Sequence, residues 1–145
     1  MKIKVRAIIY PTEDEERVIK CINNFFNLEN IEVKKVGEQK VVIGTSMGHR
    51  ALEKLYHALR REKVLDAARQ YIKRGKSERS VVFYLNKQVA YVGRLSFASF
   101  EFGESPLGAI VVEIETSEPN KLIRWLTPRT KDGKPIEKVK PPDDP

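Results

Sequence analysis

The order in which hydrophobic spacing switches between a period of about 2 and one of about 3.6 residues is what most constrains this chain. Lys2, Lys4 and Arg6 alternate with Ile3, Val5 and Ala7, the mark of a half-buried strand that ends by Pro11. Thr12 followed by Glu15 has the form of a capping box, and residues 13–16 are all acidic, where a helix dipole favours anions. Val18, Ile19, Ile22, Phe25 and Phe26 then recur at helical spacing, with Cys21 at the edge of that stripe. Residues 31–36 and 40–45 read as two strands turning at Gly37-Glu38. Ser46 is the predicted N-cap of a second helix that buries Leu52, Leu55, Tyr56 and Leu59. Val64, Leu65, Ala68, Tyr71 and Ile72 keep the helical period in a new phase, which predicts a break near residues 61–63 and a C-cap at Gly75.

Residues 80–85 and 89–97 are β-rich runs around a tight Asn86-Lys87-Gln88 connection, and 100–108 reads as a loop. Residues 109–115 form a strand with Ile110, Val112 and Ile114 on one face and Glu113 and Glu115 on the other. Ser117 is predicted to cap a last helix carrying Leu122, Ile123, Trp125 and Leu126. The resulting order, β-α-β-β-α-α-β-β-β-α, favours hairpins over βαβ units. It predicts an α+β fold, a single domain over residues 1–130 with a mostly antiparallel sheet covered by helices on one face. Residues 131–145 are expected to be an extended tail with a disordered end. The other sheet face is expected to expose Val82, Tyr84, Val92 and Phe97, a patch that predicts a homodimer.

With 41% hydrophobic and 32% charged residues, the 145-residue chain has the composition of a folded globular protein. No stretch reaches the roughly 18 apolar residues of a membrane span, and the start lacks a signal-peptide pattern. The single cysteine, Cys21, excludes an internal disulfide and fits a cytoplasmic location. Its bland role is packing; the alternative is a reactive thiol.

The net charge of +7 is concentrated: residues 1–48 hold 8 Lys/Arg and 7 Asp/Glu, residues 49–94 hold 12 and 4, and residues 95–145 hold 7 and 9. A basic central third suits a polyanion. Arg50, Lys54, His57 and Arg61 form one helical stripe, and Arg69, Lys73 and Lys76 repeat its spacing. Such stripes can follow phosphates, though every amphipathic helix also needs a solvated face. A hairpin tip of Asn86, Lys87 and Gln88 near Tyr91 and Arg94 could contact sugar, phosphate or an unstacked base, or serve only as a turn. Arg129 and Lys131 form a third basic segment.

Enzyme chemistry finds little support. His49 and His57 lack the i, i+4 spacing of a helical metal pair, and no second cysteine completes a thiolate site. Glu113 and Glu115 share a strand face but read best as solvated. The glycine-bounded 44–48 turn could seat a phosphate, yet it lacks the Gly-Lys-Ser/Thr ending of a nucleotide loop. No catalytic residue, metal ligand or cofactor is expected.

Five strings carry a resemblance: Leu65-Asp66-Ala67-Ala68-Arg69, Leu85-Asn86-Lys87-Gln88-Val89-Ala90-Tyr91-Val92-Gly93-Arg94-Leu95-Ser96-Phe97 (its part from Asn86 to Gly93 the most specific), Glu104-Ser105-Pro106-Leu107-Gly108, Trp125-Leu126-Thr127-Pro128-Arg129-Thr130 and Gly133-Lys134-Pro135. Together they resemble the archaeal uncharacterised protein family two-zero-one, labelled predicted RNA-binding, from residue 5 to about residue 135. The resemblance implies an α+β dimer similar to the ribosomal protein that binds the smallest large-subunit RNA. Alanine would be expected at Val89 and Thr127, and proline at Ala109. The expected function is therefore non-enzymatic binding of structured or double-stranded RNA. The residues expected to carry it are Arg50, Lys54, Arg61, Arg69, Lys73, Lys87, Gln88, Arg94 and Arg129. The alternative is an assembly subunit whose basic face meets an acidic protein partner.

Overall fold

Strand β1 (Lys2–Ile9) buries Ile3, Val5, Ala7 and Ile9 on one face and turns Lys2, Lys4 and Arg6 to the other, as alternation requires. In this computed structural model, which describes residues 1–103 and 106–142, β1 lies at the centre of the sheet. It pairs antiparallel with β3 (Gln39–Met47) on one side and β6 (Ala109–Glu115) on the other. Strand β2 (Asn30–Val36) flanks β3, while β4 (Ser80–Asn86) flanks β6 and is followed outward by β5 (Phe97–Ala98). All five pairings in the order β2-β3-β1-β6-β4-β5 are antiparallel. A two-residue pair, β7 (Thr130–Lys131) and β8 (Lys134–Pro135), forms a separate small hairpin.

The register puts Val5 between Gly44 and Val112 and Ile3 between Ser46 and Ile114, so one face carries the apolar rows of all the long strands. Helices α1 (Glu15–Asn23), α2 (Glu53–Arg61), α3 (Leu65–Arg74), α4 (Lys87–Tyr91) and α5 (Pro119–Leu126) contribute their buried residues to the same core. Phe25, Phe26, Phe83, Leu55, Leu59 and Ile72 are among its largest members. This is the expected α+β layer arrangement, and among the described residues no helix is long and apolar enough to cross a membrane.

The break between α2 and α3 falls where the change of phase places it. Glu62 caps α2, and Lys63 adopts a left-handed φ of 56° before α3 begins. Gly75 caps α3 because a side chain cannot fit there. A Cβ would lie 1.6 Å from the Val82 carbonyl oxygen, and the Val82 N–H donates to the Gly75 carbonyl at 2.9 Å.

Local details differ from expectation in four places. Helix α1 is capped by Asp14, whose Oδ1 accepts from the Glu16 N–H at 3.1 Å, rather than by Thr12. Ser46 is a buried residue of β3, and the helical layer starts after Gly48 with a 3₁₀ turn, His49–Leu52. Glu118, not Ser117, is the N-cap of α5, with Pro119 in its first turn. The 86–88 segment is not a hairpin tip. Asn86 caps α4, its Oδ1 accepting from the Val89 N–H at 3.1 Å, because asparagine satisfies a first-turn N–H better than the strand extension would. The run 89–97 is consequently helix and turn, with only Phe97 and Ala98 in β5.

The uncovered sheet face also differs. Val82 and Tyr84 lie there half-buried, joined by Ile8, Val41 and Ile43. Phe97 pairs with Leu85 and stacks on Tyr71, so it belongs to the helical side. Val92 sits in the turn after α4. Arg6 reaches across this face to Glu101 at 2.6 Å and Glu113 at 3.6 Å. Glu104 and Ser105 of the predicted 100–108 loop, and residues 143–145 of the predicted tail, lie outside the described residues. Before them, the Ile136 N–H donates to the Arg129 carbonyl at 2.9 Å, and Val139 packs on the core.

Candidate nucleic-acid interface

Helices α3 and α5 approach each other, and the segment after α5 closes the space between their polar sides. The result is a recess of about 630 Å³ lined by Arg69, Lys73, Lys76, Arg124 and Arg129, against the single carboxylate of Glu137. Lys73, Arg124 and Arg129 are exposed and, among the described residues, form no ion pair. Lys76 Nζ donates to Asn120 Oδ1 at 2.9 Å, tying the end of α3 to the start of α5. Asp66 ties the other end: it accepts from Arg69 Nη2 at 3.3 Å and from Thr130 Oγ1 at 2.7 Å. Arg69 Nη1 is buried and has no hydrogen-bond partner among the described residues. A buried guanidinium N–H without an acceptor is costly.

The recess thus gathers Arg69, Lys73 and Arg129 of the expected set. Arg50, Lys54 and Arg61 stand outside it, on the exposed side of the 3₁₀ turn and α2. Two of these are partly engaged: Lys54 Nζ donates to the Asn23 carbonyl at 2.8 Å, and Arg61 lies 4.0 Å from Glu62. Arg94 is exposed in the turn after α4, and Gln88 is exposed on α4 itself.

Lys87 is not at the surface. Its side chain is 2% exposed, and Nζ donates to the Ile8 carbonyl at 2.8 Å and to Glu13 Oε1 at 2.9 Å. It also lies 5.2 Å from the Tyr10 ring centroid. The Lys87 carbonyl accepts from Cys21 Sγ at 3.2 Å. Burial pushes the Cys21 thiol up to about 11, with the Lys87 charge acting in the opposite direction. A neutral, buried thiol is a packing group, not a nucleophile.

Sequence spacing does not single out Arg124 or Asn120, which enter the recess only because α5 docks against α3. The available signal is Lys121 and Arg124, three apart on a helix with no acidic residue in its first turn. Nor does spacing identify Arg60 as a structural cation. Its guanidinium donates to the Tyr56, Leu126 and Trp125 carbonyls at 3.0, 3.3 and 3.2 Å and lies 3.4 Å from the Tyr56 ring centroid. Burial lowers its pKa from the ordinary arginine value. Tyr56 also stacks on Trp125, with centroids 5.1 Å apart. Among the described residues, no three His, Cys, Asp or Glu side chains are grouped to hold a metal.

A one-sided helical layer on an antiparallel sheet, with cations converging between two of its helices, defines an α+β protein with a basic recess on its helical side. A family model described as RNA binding matches residues 2–116. A UPF0201 protein of Sulfurisphaera tokodaii is 42% identical, covering 93% of this chain and 92% of its own. Another from Pyrococcus horikoshii is 40% identical, covering 94% and 96%. The crystal structure of a UPF0201 protein from Methanococcus jannaschii superposes with a TM-score of 0.79 at 34% identity, covering 94% of this chain and all of that one. The chain belongs to the UPF0201 family, the same family that its sequence strings resemble. The match to the RNA-binding model ends before α5, so the recess is built from matched residues on α3 and from residues beyond the match.

Proposed function

We propose that this protein is a non-enzymatic RNA-binding protein whose principal contact surface is the recess between α3 and α5, with the exposed cations of α2 as a secondary track. The observation that carries this reading is the convergence of five cations on one recess against a single carboxylate. Cations held apart by solvent need no such gathering; phosphate oxygens reward it through counterion release and charge-assisted hydrogen bonds. The match to an RNA-binding family model supports the same partner class. Lys87 is left out of the contact set because its charge is neutralised by Glu13.

The reading includes a cytoplasmic homodimer with a fold similar to the ribosomal protein that binds the smallest large-subunit RNA. The uncovered sheet face supports the dimer: Val41, Ile43, Val82 and Tyr84 are half-buried there among Lys2, Lys4, Arg6, Glu113 and Glu115. Apolar residues mixed with both charges suit a self-complementary two-fold contact.

Crosslinking in cells, followed by recovery of whatever is bound, tests the partner class. RNA recovered from the wild type and absent when Lys73 and Arg124 are replaced by Gln is the expected result. A complex that survives nuclease and contains an acidic protein would instead favour an assembly subunit.

A further inference from the structure

We propose that the α3–α5 recess takes a single unstacked nucleotide with its flanking phosphates, so the protein engages a single-stranded end or loop in preference to a continuous duplex. This rests on the RNA-binding function proposed for the same recess and adds which part of an RNA enters it.

The shape carries the inference. A duplex offers a recess only its phosphate ridge, because its bases stay stacked inside; an unstacked nucleotide offers phosphate and base together. The space here, about 630 Å³, has the size of a site for a nucleotide-sized ligand. Its wall is not uniformly cationic. Ile123 and Ile136 also line it, and Ile136 is 59% exposed, an apolar surface against which a base face can lie. Asn120 Oδ1 is committed to Lys76, which orients the amide and leaves its Nδ2 donors for a base or sugar acceptor. Single-stranded RNA exposes base faces and edges that a duplex keeps stacked.

The same geometry says what the site does not do. Aromatic platforms usually supply base stacking in single-strand binding, but among the described residues no aromatic side chain lines this recess. With isoleucine as the apolar wall and one amide as the directional group, the site discriminates poorly among the four bases. Strand form, not sequence, is what it reads.

The test uses the full chain and one labelled RNA stem in two forms, blunt and with a four-nucleotide overhang, in fluorescence anisotropy at fixed salt. The overhang form should bind at least about tenfold more tightly, with little dependence on which bases the overhang contains. Replacing Lys73 and Arg124 by Gln should erase that preference while thermal unfolding stays unchanged. Equal affinity for both forms, weakened alike by the two replacements, would overturn the nucleotide site and leave the RNA reading standing. A preference that persists undiminished in the double variant would place it elsewhere and also overturn the inference. Failure of the wild type to bind either form at micromolar concentration would overturn both. Ile136→Asp, at an exposed position, gives a second check: it should cut the overhang preference more than it weakens the blunt form.

Discussion

Lys87 shows how one residue can look functional in sequence and be structural in space. A lysine beside asparagine between two β-rich runs has the composition of an exposed turn. Its side chain instead runs inward, where Glu13 and the Ile8 carbonyl satisfy it. Breaking a buried pair leaves an uncompensated charge, so Lys87→Met should cost about 3–5 kcal/mol in urea denaturation, because Glu13 is then left without its cation. RNA affinity per folded molecule should not change. Cys21 gives a second prediction. Its folded thiol titrates at about 11 against an ordinary value of 9.0, so between those limits the unfolded chain loses its proton first. Stability from this group is intact below pH 9 and falls as pH rises toward 11. The stability difference between wild type and Cys21→Ala should therefore narrow over that range, and a constant difference would show that the thiol titrates alike in both states.

Among the elements, those with strong periodicity are legible in the sequence: β1, β6, α1 and the two phases of α2 and α3. The short ones are not. Residues 89–92 are β-branched, aromatic or small enough to read as strand, yet Asn86 caps a helical turn there. Helix α1 and the residue after it then hold that turn, with Asn24 Nδ2 donating to the Ala90 and Tyr91 carbonyls at 2.7 and 3.2 Å. Those contacts are tertiary, and local pattern does not encode them. The recess is half legible for the same reason. Spacing alone puts Arg69 and Lys73 on one helical face, whereas Arg124 and Asn120 join them through docking of α5. Gly75 is the point where α3 meets β4, and it offers a test at this scale. Gly75→Ala would drive a methyl into the Val82 carbonyl, which is backbone and cannot step aside. It should destabilise the protein by about 1–3 kcal/mol, measured by chemical denaturation. A neutral effect would mean that the α3–β4 junction is looser than this packing requires.

For the whole molecule, the uneven charge visible in the sequence becomes geometry: the basic middle third supplies α2 and α3, and the near-neutral last third brings Arg124 and Arg129 to the cations of α3. The uncovered sheet face carries the assembly prediction. Static light scattering at micromolar concentration should give the mass of two chains, and Ile43→Glu together with Val82→Glu should give the mass of one. A wild-type mass of one chain would remove the dimer from the reading.

The salt dependence of RNA binding tests the central claim most directly. Removing one cation that pairs with a phosphate should flatten the slope of log K against log salt by about 0.7–0.9. Replacing Lys73, Arg124 and Arg129 together by Gln should therefore flatten it by about 2–3 and weaken binding to all sequences alike. Replacing Arg50, Lys54 and Arg61 should flatten it less, since two of those three are already engaged within the protein. A slope left unchanged by the recess variant, or flattened only by the α2 variant, would contradict the assignment of the recess as the phosphate-binding surface.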